Sequence, residues 1–168
     1  KTIRPPLSKN IDKDHNHTHN NDPKTHFDPK AQKRMGVYHY NEGNQFLRQS
    51  NWEEAIKNYK MALHHNKHFE EAYINLSTAY MIGKLFKKSL ETLNTLKKIN
   101  PKHPLLYYNL ACYYSLQGNT ALGLESLQLA IANGFKNLVT LKTDPDLELL
   151  RSEPQFKNLQ QLIEGNLQ

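Results

Sequence analysis

A chain of 168 residues and 19.6 kDa has room for one ordinary domain and a tail. Hydrophobic residues make up 38% of it, which is low for a compact globule and suits an elongated array or a chain with a polar end. One cysteine, Cys112, excludes an intramolecular disulfide framework, and no apolar run nears the roughly 18 residues that a membrane-spanning helix needs. The net charge of +6 is unevenly placed. Eight of the Lys and Arg and four of the Asp precede Met35, so the excess lies mostly in the N-terminal segment and the rest of the chain is nearly balanced.

Residues 1–34 are rich in Asn, Asp, His, Lys and Pro. Pro5, Pro6, Pro23 and Pro29 read as helix breakers. Ile3, Leu7, Ile11 and Phe27 offer too little apolar surface to offset the ordering entropy, so a disordered tail is expected. Its charges are spaced out rather than clustered, as in a solvated linker, although a basic tail also suits an anionic partner. His15, His17 and His19 alternate, with His26 and several Asp nearby. Imidazoles ligate zinc, nickel or copper, so weak Zn or Ni binding here stands beside the plainer reading of a His-containing linker. The start at Lys1 rather than Met reads either as a removed signal or anchor or as the boundary of a piece cut from a longer chain. The first reading favours an exported or periplasmic location over a cytoplasmic one, with membrane contact only through a partner or the removed anchor.

From Gly36 to Phe135 the chain repeats with a period of 34. Ala55, Ser89 and Gly123 stand one period apart, as do Tyr59, Leu93 and Leu127, then Ala62, Leu96 and Ala130, Phe46, Tyr80 and Tyr114, and Asn41, Asn75 and Asn109. Small and aromatic residues in register at this spacing predict helix–turn–helix units whose apolar stripes are core. In chain order, helices are expected over about 37–49 and 53–66, with Asn51 as N-cap and Glu53 and Glu54 in the first turn. They follow over about 70–83, then 86–99 after a Gly83-Lys84 turn, ending at Asn100-Pro101. The third unit opens at Pro104, turns at Gln117-Gly118-Asn119 and stops at Asn133-Gly134. Asp144 with Pro145 reads as a helix start, and Ser152 as the cap of a last helix over about 153–164. Phe156, Leu159, Leu162 and Ile163 would form its apolar face. Asp144 and Asp146 read as capping carboxylates rather than an acid–base or metal pair.

This period and pattern resemble the tetratricopeptide repeat family over about three-fifths of the chain. The family's glycine is present as Gly43, its helix-A aromatic is weakened to His39, and its terminal proline is replaced by Lys67. The string Gly134-Phe135 to Leu141, Asp144-Pro145-Asp146-Leu147, Leu150-Arg151 and Pro154-Gln155-Phe156 resembles the segment that often closes bacterial arrays of this kind. The resemblance implies an all-α, right-handed solenoid of three repeats, at about 36–69, 70–103 and 104–137, followed by a capping segment over 138–168.

The resemblance also implies a concave groove lined by the first helix of each repeat. Projection gives Tyr40, Asn41, Asn44 and Arg48, then Ile74, Asn75, Thr78 and Ile82, then Tyr108, Asn109, Cys112 and Leu116. The Asn stripe suits an extended peptide backbone, since an amide both donates and accepts. These Asn equally suit bonds to neighbouring helix turns. A branch of the family clamps the C-terminal carboxylate of heat-shock chaperones. Asn44 and Asn75 match that clamp, but its three cations are replaced by Tyr40, Leu105 and Asn109, so carboxylate capture is not expected. Arg48 is the sole cation of the projected groove, which argues against nucleic acid.

No nucleophile–base motif, phosphate loop or metal-ligand spacing appears in the folded part. Cys112 lacks a setting that would activate its thiol, and the pair His64 and His68, with His65 beside it, reads first as a solvated face. The expectation is a non-enzymatic adaptor or assembly factor, without cofactor, that binds a segment or helix of another protein. The alternatives are metal delivery by His15, His17 and His19, or a secretion-type chaperone, which the basic charge disfavours.

Overall fold

The computed structural model describes residues 9–11 and 28–166. Among these there are nine α-helices and no strand. The first three pairs are α1 (Pro29–Arg48) with α2 (Trp52–His65), α3 (Glu70–Ile82) with α4 (Phe86–Ile99), and α5 (Pro104–Leu116) with α6 (Thr120–Ala132). The closing segment holds α7 (Leu138–Thr143), a 3-10 turn at Pro145–Leu147, α8 (Glu148–Arg151) and α9 (Pro154–Asn166). Each helix of the three pairs packs on its sequence neighbour, and α1, α3 and α5 also touch one another in series. This is the all-α solenoid of tetratricopeptide repeats.

The 34-residue period is a backbone period as well as a sequence one. Ser50, Lys84 and Gly118 stand 34 apart and all hold a left-handed φ, of 66°, 58° and 75°. At each, the same pair of bonds closes the helix. The N–H groups of Asn51, Leu85 and Asn119 donate to the carbonyls of Phe46, Tyr80 and Tyr114, and those of Ser50, Lys84 and Gly118 to Leu47, Met81 and Ser115. This is the Schellman ending, and it turns the chain directly into the next helix. Asn51 and Asn119 then cap α2 and α6, accepting from the N–H of Glu54 and Leu122. In the second repeat Leu85 stands in that place, and α4 has no side-chain cap.

The between-repeat loops repeat too. Asn66 and Asn100 accept from the N–H groups of His68 and Lys102. The Tyr73 and Tyr107 hydroxyls donate to the carbonyls of Lys67 and Pro101. In the first repeat His39 holds the corresponding place, where it stacks on His65 with ring centroids 5.5 Å apart.

Two core clusters share α3. Ala72, Leu76, Ala79 and Tyr80 face Tyr40, Leu47, Ala55 and Tyr59, while Ile74 and Met81 face Leu93, Leu106, Tyr108 and Ala111. A helix buried on both sides shows no polar face, and only Glu70, Glu71, Tyr73 and Ile82 of α3 are partly exposed. Glycines make two of the closest approaches. A Cβ at Gly43 would lie 2.6 Å from the Tyr59 ring, and one at Gly83 would lie 2.6 Å from Trp52.

The Gly83-Lys84 turn stands as expected, with Lys84 at the left-handed position and Gly83 close against Trp52. Three expectations are corrected. The first helix begins at Pro29, inside the segment read as a 1–34 tail. Asp28 caps it by accepting from the Lys30 N–H, and Pro29 stands in the first turn, where its missing N–H costs nothing. Ser152 closes α8 rather than opening the last helix: its N–H and hydroxyl donate to the Leu150 and Leu149 carbonyls, and α9 starts at Pro154. Phe156, Leu159 and Ile163 of α9 are buried and the helix packs on α6, whereas Leu162 points outward.

Gly43→Ala therefore forces a methyl into the Tyr59 ring. It is expected to destabilise the fold by about 1–3 kcal/mol, the usual cost of overpacking a dense core. A urea melt of the variant with an unchanged midpoint contradicts this reading of the α1–α2 contact.

Candidate peptide-binding face

The stripe Asn41, Asn75 and Asn109 divides by its neighbours. Asn75 reaches from α3 back to α1, donating to Asn44 Oδ1 at 2.7 Å and to the Tyr40 hydroxyl at 3.3 Å. Asn109 reaches from α5 back to α3, donating to the Ile74 carbonyl, Ser77 Oγ and Thr78 Oγ1 at 3.2, 3.0 and 3.1 Å. Both side chains are fully buried. Asn41 opens the series on α1, with no earlier repeat helix among the described residues. Its amide instead bonds an extended piece of the chain, accepting the Ile11 N–H at 3.2 Å and donating to the Ile11 carbonyl at 2.9 Å.

Two further residues of α1 hold that piece. Tyr40 donates its hydroxyl to the Lys9 carbonyl at 2.8 Å, and Asn44 donates from Nδ2 to Asn10 Oδ1 at 2.6 Å. Tyr40, Asn41 and Asn44 share one face of α1 by the 3.6-residue period. Asn44 is pinned from the other side by the Tyr59 hydroxyl, which donates to its Oδ1 at 2.7 Å. With Asn75 bonded to the same oxygen, the Asn44 amide can present only its N–H2 outward. Burial pushes the Tyr59 phenol far above its usual range, so it stays a donor. The face is thus a preorganised set of neutral donors and acceptors.

Not every projected groove residue is open to a ligand. Asn41 and Ile82 are partly exposed, and Arg48 and Leu116 are exposed. Tyr40 and Asn44 are buried too, beneath Lys9 and Asn10, and Ile74, Asn75, Thr78, Tyr108, Asn109 and Cys112 are buried and line no open surface. For Asn75, Thr78 and Asn109 the reason is the interlocking of successive repeat helices. For Tyr108 and Cys112 it is the closing segment. The Tyr108 ring stacks on Phe135 with centroids 4.4 Å apart, and its hydroxyl donates to Asp144 Oδ2 at 2.6 Å. Cys112 lies 4.0 Å from the same oxygen. Burial pushes its thiol well up, so it stays protonated and unreactive.

Asp144 does two jobs. Its Oδ1 caps the 3-10 turn by accepting the Asp146 N–H at 3.0 Å, and its Oδ2 anchors the closing segment to α5 through Tyr108. Arg151 donates to the carbonyls of Leu141 and Asp144, closing the loop around it.

The histidines His15, His17 and His19 lie outside the described residues. Among the described residues no group of three or more His, Cys, Asp or Glu is placed to hold a metal ion. His64 is exposed beside His65, and the N–H of exposed His68 is taken by Asn66. Lys9, Asn10 and Ile11 carry no sequence signal of their own, because nothing in a polar stretch marks which three residues a distant helix will hold.

Two stability tests follow from this geometry. Asn75→Ala leaves the Tyr40 hydroxyl and Asn44 Oδ1 with one partner fewer in a buried setting, so a loss of about 1–3 kcal/mol in denaturant melts is expected. A neutral result contradicts the bridging role. Asp146 is partly exposed, and burial, then the charge of Asp144, pushes its pKa up to about 7. A carboxyl raised in the folded state stabilises below its unfolded pKa near 4, and that contribution is lost as pH rises towards about 7. Asp146→Asn should thus gain on the native chain between pH 4 and 8 in parallel urea melts. A constant difference over that range contradicts the assignment.

Comparison with known proteins agrees with this architecture. The pattern of the family described as tetratricopeptide repeat matches residues 46–111. A chloroplastic protein of Arabidopsis thaliana is 26% identical over 130 residues, which is 77% of this chain and 30% of that protein. The chain thus spans under a third of the length of that curated relative. Among solved structures, the first tetratricopeptide domain of Spaghetti (RPAP3), bound to an HSP90 peptide, superposes with a TM-score of 0.57 at 16% identity, covering 80% of this chain and 94% of that one. The type III secretion chaperone SycD of Yersinia enterocolitica, in complex with a peptide of the translocator YopD, superposes with a TM-score of 0.56 at 12% identity, covering 78% and 93%. Period, turn geometry and these likenesses agree on the fold of tetratricopeptide repeats, whose pattern the chain carries over residues 46–111.

Proposed function

We propose that this chain is a non-enzymatic adaptor or assembly factor that binds an extended segment of a partner protein on the inner face of its repeats. One observation carries the reading. The Tyr40–Asn41–Asn44 face already grips an extended stretch of polypeptide through its backbone. Rigid repeats suit this work, since a preformed face spends little entropy on closing around a segment. Support also comes from the similar folds of Spaghetti (RPAP3) and SycD, whose structures hold peptides of other proteins.

The chemistry of the face sets the kind of segment. Its donors and acceptors are neutral, and the sole cation of the projected groove, Arg48, lies one turn beyond Asn44. A free carboxylate would find no charge-assisted pair of donors at Tyr40, Asn41 or Asn44. An internal segment fits better than a C-terminus.

The test uses the full chain as bait in native extract beside an Asn41→Ala, Arg48→Glu variant. Both changes lie on partly or fully exposed side chains, so the melting curve should be unchanged. A partner held by the native chain should be retained at least tenfold less by the variant. A partner retained equally by both places recognition elsewhere and overturns the reading.

A further inference from the structure

The way α1 holds Lys9, Asn10 and Ile11 defines what else can bind there. Of the four hydrogen bonds described between α1 and residues 9–11, three read backbone: the Lys9 carbonyl, the Ile11 N–H and the Ile11 carbonyl. The fourth reads a side chain, the Asn10 amide oxygen, through the N–H2 group that Tyr59 and Asn75 hold in place. The two Ile11 bonds to one Asn side chain imitate the paired bonds of neighbouring β-strands, so the site selects an extended backbone. The middle position must offer an acceptor to Asn44.

The contact is shallow. Lys9, Asn10 and Ile11 are all exposed, Ile11 at 38%. Their attachment thus rests on hydrogen bonds with little apolar burial. Because it belongs to the same chain, a segment held through these three residues competes at an effective concentration of order millimolar.

We propose that Tyr40, Asn41 and Asn44 form a backbone-reading site for an extended internal peptide with an amide side chain at its centre, and that Lys9–Ile11 is its resident occupant, which a partner segment of the same pattern displaces. This rests on the adaptor reading above and adds the partner's chemistry and a built-in competitor. Binding of the true partner is then weaker than the site allows by the fraction of time the face is already filled.

The probe is a labelled peptide with blocked termini, Leu-Ser-Lys-Asn-Ile-Asp-Lys, which copies residues 7–13, beside a version with Ala in place of Asn. Affinity is measured by fluorescence anisotropy for the native full chain and for Ile11→Pro, which removes the N–H that Asn41 accepts. It is also measured for Ile11→Pro combined with Asn41→Ala. The peptide should bind the Ile11→Pro chain about tenfold more tightly than the native chain, as release of a millimolar competitor with a dissociation constant of order 100 μM allows. Asn41→Ala should remove that gain, and the Ala peptide should bind several-fold more weakly than the Asn peptide. Equal affinity for the native and Ile11→Pro chains overturns the resident-occupant inference. Absence of binding to Ile11→Pro, or binding indifferent to Asn41→Ala, overturns the site itself. Either failure is distinct from failure of the adaptor reading, which rests on retention of a partner from extract.

Discussion

The Asn44 side chain is where the parts of this molecule meet. Its oxygen accepts from Tyr59 of the same repeat and from Asn75 of the next, and its N–H2 group meets the extended segment at Asn10. A buried amide bonded on both its oxygen and its nitrogen fixes the relative placement of the helices that make those bonds. Gly43 allows this by letting the Tyr59 ring close on α1. The same interaction thus sets the spacing of α1, α2 and α3 and decides which atoms the Tyr40–Asn41–Asn44 face shows.

The rest of the array extends that arrangement. Asn109 carries the bridge from α5 to α3, and at the far end Tyr108 takes Asp144 of the closing segment as its partner. The first helix of each repeat is therefore tied forward or back by a polar group in an otherwise apolar seam. A buried polar group left unmade costs more than one made gains, so these ties define register rather than add much stability. Register matters for a solenoid, where each repeat touches only its neighbours and an error propagates.

Helix positions were legible in the sequence because the small residues Ala55, Ala62, Ser89 and Ala130 and the aromatics among them repeat at 34. The left-handed turn position was not. Ser50 and Lys84 hold it without being glycine, since the two bonds of the Schellman ending compensate for the conformation. Pro29 read as a breaker because the rule that places proline in a helix interior at high cost gives no cost in the first turn. The Asn stripe was seen, but its division was not. Whether an amide faces a ligand or the next helix depends on the distance between helices, and for Asn75 and Asn109 that distance is short enough to bury them. Cys112 and Tyr108 vanished from the groove for a different reason, the closing segment folding back onto α5.

The grip of the Tyr40–Asn41–Asn44 face on extended backbone is the central claim. Solution NMR of the full chain reads it directly, through nuclear Overhauser contacts between the Ile11 amide proton and the side-chain amide protons of Asn41. These contacts are expected, with an Asn10 to Asn44 contact beside them and chemical shifts for residues 9–11 away from random-coil values. Random-coil shifts for residues 9–11 with no contact to α1 would contradict the claim.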